Sequence, residues 1–346
     1  MPAVTAPAKA LISGVNGYLG IWVARTFLEH GYIVRGTVRN VQKAGQHLKS
    51  TFAKYGDHFE LVEVADITVS GAFDDAVKGV DVVIHTASPF TYDNTNPSEL
   101  IDPAVKGTLS ILESTQAYAP TVKRVVLTSS CVSVWTYLID SPRTFTEADW
   151  NDQAVNLVHE KGSGAGGAMI YCASKTLAER AAWDFVKKNK PSWDLATINP
   201  PYLIGPPIHE VYSADKLNTS QKLLFDTLTG SLPDDQYEQV DFGFVDVRDV
   251  AETHLRAAEI PQASGTRCLI ASGELFPQGL LDLANSLEPK SWGELPKRKP
   301  GVTKGKQHTI LFDLTQFGRV YGFKLRTPEE TISDSLKDFK ARGWIQ

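Results

Sequence analysis

The 346-residue sequence predicts an α/β fold: a doubly wound parallel sheet with a smaller, mostly C-terminal region beside it. Three observations carry this prediction. Strand and helix patterns alternate through the first two thirds of the chain, and such alternation forces a parallel sheet with helices on both faces. A glycine-rich turn joins the first strand pattern to the first helix pattern. Two breaks, Asn199-Pro200-Pro201 and Gly205-Pro206-Pro207, then end the regular alternation.

Ala8–Ser13 reads as a short buried strand, and Tyr18–Glu29 as a helix stopped at His30-Gly31. Tyr32–Val38 is a second strand, Val41–Tyr55 a helix and His58–Val64 a third strand. Ala72–Lys78 reads as a short helix closed by Gly79, followed by a strand over Val80–Thr86. Ser98–Tyr118 is a long helix, and the β-branched run Lys123–Ser129 is a fifth strand. Regularity fades between Cys131 and Ala168, where residues 162–167 have the composition of a flexible loop. A strong helix, Met169–Lys188, and a sixth strand, Leu195–Asn199, follow. Asp249–Ile260 reads as a helix with Asp249 as N-cap, and Arg267–Ala271 as a further sheet strand. Residues from Pro277 onward are polar helices and loops. The expected division is a first unit over residues 1–200, with 240–272 returning to its sheet, and a second region over 201–239 and 273–346.

Composition excludes several function classes. Apolar residues make up 42% and charged residues 22%, ordinary values for a globular protein. A net charge of -5 supplies no basic field for nucleic acid or an anionic membrane. The longest uncharged apolar-leaning run, Ala10 to Ala24, is interrupted by glycines and is shorter than the ~20 residues a membrane span needs. No secretory signal is visible at the N-terminus. Cys131, Cys172 and Cys268 are too few for a disulfide framework, so reduced thiols and a cytoplasmic location are expected. His209, His254 and His308 have no metal-ligand spacing with any partner, and no metal is expected.

Gly14-Val15-Asn16-Gly17-Tyr18-Leu19-Gly20 fits G-x-x-G-x-x-G. With 26 glycines in the chain the spacing alone is only suggestive. Its place between first strand and first helix is where a Rossmann unit binds a dinucleotide. Glycine permits the tight turn, and backbone N–H groups at the helix N-terminus can then meet a pyrophosphate. The second strand ends Thr37-Val38-Arg39-Asn40, with Lys43 one helical turn on. No acidic residue stands there for a ribose 2'-OH, whereas Arg39 and Lys43 suit a 2'-phosphate. The expected cofactor is therefore NADP(H) rather than NAD.

Tyr171 and Lys175 lie four residues apart, on one face of a helix. A second such pair, Tyr212 and Lys216, lies in a polar segment beside Asp215, so context favours the first. A carbonyl receiving hydride needs a proton donor, and a free phenol has a pKa near 10. A Lys ammonium ~5 Å away would favour the phenolate by about two pKa units. The end of the fifth strand supplies Thr128, Ser129 and Ser130, where ligands of open parallel sheets bind.

Together these features resemble the extended branch of the short-chain dehydrogenase/reductase superfamily. Finer motifs are similar to its dihydroflavonol reductase/cinnamoyl-CoA reductase group, and most closely to methylglyoxal/isovaleraldehyde reductases. They are His85-Thr86-Ala87-Ser88-Pro89-Phe90, Val125-Val126-Leu127-Thr128-Ser129-Ser130, Glu147-Ala148-Asp149-Trp150, Asn199-Pro200-Pro201-Tyr202 and Phe244-Val245-Asp246-Val247-Arg248-Asp249-Val250-Ala251. The resemblance implies that Ser130 holds the carbonyl oxygen, Tyr171 donates the proton, and Lys175 tunes Tyr171 and binds the nicotinamide ribose. It implies cofactor contacts at Gly14, Asn16, Gly17, Tyr18, Leu19, Asp66, Ile67, Thr86, Ala87, Ser88, Thr128, Pro200, Leu203 and Ser220, and a pocket lined by Phe90, Trp135 and Tyr202. One departure is Ala104, before Val105-Lys106-Gly107-Thr108, where many members carry an Asn that serves a proton relay.

The expected activity is an NADPH-dependent reduction of aldehydes or ketones by a monomer or homodimer without nucleic-acid or membrane partners. A modest apolar pocket formed by the second region would set stereochemistry. Two alternatives stay open at this level: another extended dehydrogenase (hydroxysteroid dehydrogenase or sugar-nucleotide epimerase), and a non-catalytic NADP sensor.

Overall fold

The computed structural model describes residues 4–88, 96–136, 139, 141–288 and 291–345. In chain order the first elements are β1 (Lys9–Ser13), α1 (Tyr18–Glu29), β2 (Ile33–Val38), α2 (Val41–Thr51), β3 (Phe59–Glu63), β4 (Val82–His85), α3 (Pro97–Tyr118) and β5 (Arg124–Thr128). Then come β6 (Arg143–Phe145), α4 (Asp152–Lys161), α5 (Gly167–Asn189), β7 (Asp194–Asn199), β8 (Tyr202–Ile204), α6 (Thr219–Thr229) and α7 (Gln236–Gln239). The remainder is β9 (Phe242–Asp246), α8 (Val247–Glu259), β10 (Arg267–Leu269), β11 (Gly273–Leu275), α9 (Pro277–Ser286), β12 (Ile310–Phe312), α10 (Thr315–Val320) and α11 (Pro328–Ala341).

Seven strands form one sheet in the order β10-β7-β5-β4-β1-β2-β3, and every pairing in it is parallel. Strand alternation sends side chains to two separate cores. Ala10, Ile12 and Val126 face α1 and α8. Leu11, Val125 and Leu127 face the other side, where α3 and α5 contribute Ile111, Leu112 and Ala182. The order reverses between β1 and β4, which opens a crevice at their C-terminal ends. Outside this sheet, β8 pairs parallel with β9, and β9 antiparallel with β11. Around them Leu224, Leu280, Trp292 and Phe339 build a third core. β12 pairs with β6 across a long stretch of chain. Within residues 240–272, β10 joins the large sheet and α8 packs against α1, whereas β9 belongs to the three-stranded sheet.

Four expectations are corrected. Residues 72–78 form successive turns rather than a helix. The stretch is too short to recover the cost of helix nucleation, and it is held instead by burial of Phe73 and Val77 and by the Ser114 hydroxyl donating to Asp74 at 2.7 Å. The helix begun at Val41 ends at Thr51, where Phe52 turns into the core, and a 3-10 turn with Gly56 at φ 53° continues to His58. The segment after Cys131 is more regular than expected. α4 is capped by Asn151, which accepts from Ala154 N at 2.9 Å and donates to Val132 O at 2.8 Å, and a 3-10 turn over Gly162–Ala165 leads into α5. The N-cap of α8 is Asp246, not Asp249; the Asp249 carboxylate instead accepts from Arg326 N at 2.7 Å.

Candidate active site

The glycine turn is shaped by contacts that leave no room for side chains. Gly14 has φ 66°, a left-handed conformation that favours glycine, and a Cβ there would lie 3.1 Å from Ala87 Cβ. Gly17 N donates to Gly14 O at 2.9 Å, and Gly17 is the N-cap of α1 with no side-chain cap. A Cβ on Gly20 would stand 2.3 Å from Gly14 O. The first turn of α1 therefore presents backbone N–H groups and carries no acidic side chain of its own, a cradle that fits a dinucleotide pyrophosphate. Asn16 is exposed at the turn's tip. Tyr18 and Leu19 face inward: the Tyr18 hydroxyl donates to Gly205 O at 2.9 Å and Leu19 joins the core. Their contribution to a cofactor site would be through main-chain N–H groups.

Beside this turn, Ser13 is a hub. Its Oγ accepts from Thr86 N and Ala87 N, each at 3.0 Å, and pairs with His85 Nδ1 at 2.9 Å. Burial, with Lys175 nearby, pushes His85 down to about 3, so it is a neutral packing group. At the far end of the crevice Arg39 and Lys43 are exposed. Asn40 caps α2 by accepting from Lys43 N at 2.8 Å. Asp66 accepts from Thr68 N at 2.8 Å and Thr68 Oγ1 at 2.7 Å; these bonds, and the Arg39 charge, hold its carboxyl below the usual range. Ile67 packs over Gly107 of α3, leaving no space for a side chain there.

Tyr171 and Lys175 sit on the second and third turns of α5, both buried. Lys175 Nζ lies 6.0 Å from the Tyr171 ring centroid and donates to Ser88 Oγ at 2.9 Å. Burial pushes Lys175 down to about 8, opposed by the charge of Glu179. Ser130, just past β5, hydrogen-bonds the Tyr171 phenol, accepts from Val132 N at 3.3 Å and donates to Pro200 O at 3.4 Å. The expected acidification of the phenol is not what the chain alone produces. Burial, then the neighbouring Cys172, Cys131 and Tyr202, raises Tyr171 above its ordinary range, with only the Ser130 hydrogen bond opposing. Desolvation is the leading cause, and the Lys175 ammonium bonds Ser88. Tyr212 of the rival pair is 81% exposed and hydrogen-bonds Glu210.

The remaining expected residues divide. Trp135 shares a core with Tyr171, its Nε1 donating to Cys131 Sγ at 3.2 Å. Tyr202 is half-buried, edge-on to Phe242, and near enough to influence Tyr171. Leu203 packs on the main core, and Ser220 donates to Asn218 Oδ1 at 3.5 Å in the first turn of α6. Thr128 is turned away: its hydroxyl bonds His254 Nε2 at 2.7 Å, on the α8 side of the sheet. His254 Nδ1 lies 2.8 Å from Val250 O, so Nε2 is the acceptor for Thr128. Phe90 lies outside the described residues. Cys131 and Cys172 are buried and burial raises both thiols, Cys131 to about 12, so neither is a ready thiolate. A depression of about 610 Å³ between α3 and α5, lined by Leu109, Glu113 and Phe185, is separate from this cluster.

Residues 10–271 match the NAD dependent epimerase/dehydratase family. The chain belongs to that family. It is 39% identical over 342 residues to an oxidoreductase of Schizosaccharomyces pombe, covering 96% of this chain and 97% of that one. A ketoreductase of Aspergillus niger is 37% identical over 95% of this chain and 96% of its own. The crystal structure of yeast methylglyoxal/isovaleraldehyde reductase complexed with NADPH superposes with a TM-score of 0.87 at 32% identity, covering 97% of this chain and 100% of that one. These matches bear out the resemblance to extended short-chain dehydrogenases/reductases and the Rossmann-like fold of this family member.

Sequence reasoning missed the layer beneath the site. Glu179, one turn beyond Lys175, is fully buried and accepts from Arg267 Nε at 2.6 Å, Ser129 and Ser133 at 2.5 Å each, and Asn199 at 2.8 Å. The spacing Tyr171, Lys175, Glu179 repeats every four residues, and that helical stripe was the available signal.

Proposed function

We propose that this family member is an NADPH-dependent carbonyl reductase converting small aldehydes or ketones to alcohols. The observation that carries the reading is the convergence of Ser130, Tyr171 and Lys175 beyond the C-terminal ends of β4 and β5, beside a glycine turn fit for a pyrophosphate. The similarity to an NADPH-complexed reductase and to a ketoreductase supports it. Bound NADPH supplies the hydride. Ser130 would donate a hydrogen bond to the carbonyl oxygen, and Tyr171, kept protonated by burial, would deliver the proton to that oxygen. Lys175 would hold the nicotinamide ribose. Residues 1–200 with 240–272 would form the cofactor-binding unit, and 201–239 with 273–346 the substrate-binding region; Trp135 and Tyr202 beside Tyr171 would line the pocket. The three buried free thiols favour a reducing cytoplasmic setting. The test is NADPH oxidation at 340 nm against aldehydes, diketones and aryl ketones, with NADH in parallel. No turnover with any carbonyl would refute the reading.

Cofactor choice gives a separate expectation. Arg39→Glu removes the exposed cation at the end of β2 and should raise KM for NADPH roughly 10- to 100-fold, the scale of one charge-assisted bond to phosphate. The KM for NADH should change little, so comparing the two cofactors isolates the 2'-phosphate. Equal effects on both would discard the assignment.

A further inference from the structure

Glu179 is the most enclosed acid near the site, with no exposed side-chain surface. Burial alone would raise its carboxyl, but Arg267, Ser129 and Ser133 hold it below the usual range, so it is a carboxylate. Its partners reach Ser130 directly. Asn199 Nδ2 donates both to Glu179 Oε2 at 2.8 Å and to Ser130 O at 3.2 Å, and Ser133 Oγ, 2.5 Å from the same Oε2, lies 2.8 Å from Ser130 O. Arg267 is anchored in turn by Glu147 O at 2.7 Å and Asp149 O at 2.6 Å, and stacks 3.7 Å over Trp150. On the other side, Glu179 lies one helical turn from Lys175 on α5.

We propose that Glu179 is a positioning residue for carbonyl reduction: through Asn199 and Ser133 it fixes the peptide that carries Ser130, and it places a negative charge one helical turn from Lys175 on α5. The proposal rests on the reading of Ser130, Tyr171 and Lys175 given above. Several described groups surround Lys175. Tyr171 and Glu179 approach it from α5, neutral His85 and Ser88 from β4 and the residues after it, and Arg267 of β10 lies behind Glu179. Without the carboxylate, burial and the unneutralised Arg267 both favour loss of the lysine proton.

The test is the pH dependence, from 6 to 9, of kcat/KM and of NADPH affinity by tryptophan fluorescence, for wild type and Glu179→Gln. The wild-type basic limb is expected near pH 8. In Glu179→Gln the limb of NADPH affinity should move about one unit to acid, a roughly fivefold loss at pH 8 that disappears by pH 6, while kcat/KM keeps a further pH-independent loss from the loosened Ser130 peptide. A purely structural role would lower both quantities by one factor at every pH, and that flat ratio would overturn the proposal. Breaking a buried ion pair destabilises the fold, so Glu179→Gln/Arg267→Met is measured alongside; its limb should also shift to acid, though less, and a wild-type limb there would overturn the proposal too. Tyr171→Phe is the control. If that variant turns over, the reading of the site fails; if it is inactive while the Glu179 ratio is flat, only the Glu179 proposal fails.

Discussion

Replacing Tyr171 with Phe should lower kcat for aldehyde reduction by about 10²- to 10⁴-fold, the usual contribution of a positioned proton donor. The substitution removes one hydroxyl and little else. The ring is buried among Ile170, Trp135 and Leu269, and Phe preserves that volume, so the fold and the glycine turn are untouched. NADPH affinity should therefore stay within about twofold of wild type. A phenol raised by burial is protonated throughout the neutral range, which suits a donor and does not suit a base. Oxidation of the alcohol, which needs Tyr171 as base, should accordingly improve with rising pH while reduction does not. Single-turnover rates with pre-bound NADPH, measured beside a fluorescence titration of the same variant, separate chemistry from binding. A Phe variant reducing aldehyde at the wild-type rate would remove Tyr171 from the mechanism.

What could be read from the sequence follows the range of the forces involved. The glycine turn, β1 to α1, and the Tyr171/Lys175 face are local: turn conformation and a four-residue helical spacing are set by neighbours in the chain. Ser130 was legible because parallel sheets place ligands at strand ends. The direction of the Thr128 side chain is legible from alternation: Val126 faces α8, so Thr128 faces the same way, to His254. Glu179 was legible only as the third member of the Tyr171/Lys175 stripe, without its role. On a helix an acid reads as a solvated charge, and only the tertiary fold brings Arg267, from a strand 88 residues on, to meet it. The pairing of β12 with β6 and the three-stranded sheet were hidden for the same reason: three-residue strands carry too little pattern, and their partners are distant in sequence. The phenol's acidity was not legible either: it turns on desolvation, which comes from tertiary burial and opposes the pull of a neighbouring cation.

Gly20→Ala sets helix propensity against sterics, and the geometry decides which prevails. Inside a helix, Ala is favoured over Gly by roughly 0.5–1 kcal/mol. At this position, however, the new Cβ would stand 2.3 Å from Gly14 O and 3.0 Å from both Gly14 C and Thr86 Oγ1. The first two are backbone atoms and cannot rotate aside. Gly14 O also receives Gly17 N at 2.9 Å, and Gly14 already lies against Ala87, so retreat of the carbonyl opens the turn that holds the α1 N-terminus in place. Overpacking of this kind costs about 1–3 kcal/mol, more than the propensity gain. Because the strain falls on the turn itself, NADPH affinity should drop by roughly 5- to 100-fold, with kcat at saturating cofactor far less affected. Isothermal titration with NADPH, together with the melting temperature of the cofactor-free variant, checks both halves. The variant should melt below wild type despite its better helix former. A Gly20→Ala protein that melts higher and binds NADPH normally would mean that the turn has slack, and that the close approach of α1 to β1 is not what shapes the cofactor cradle.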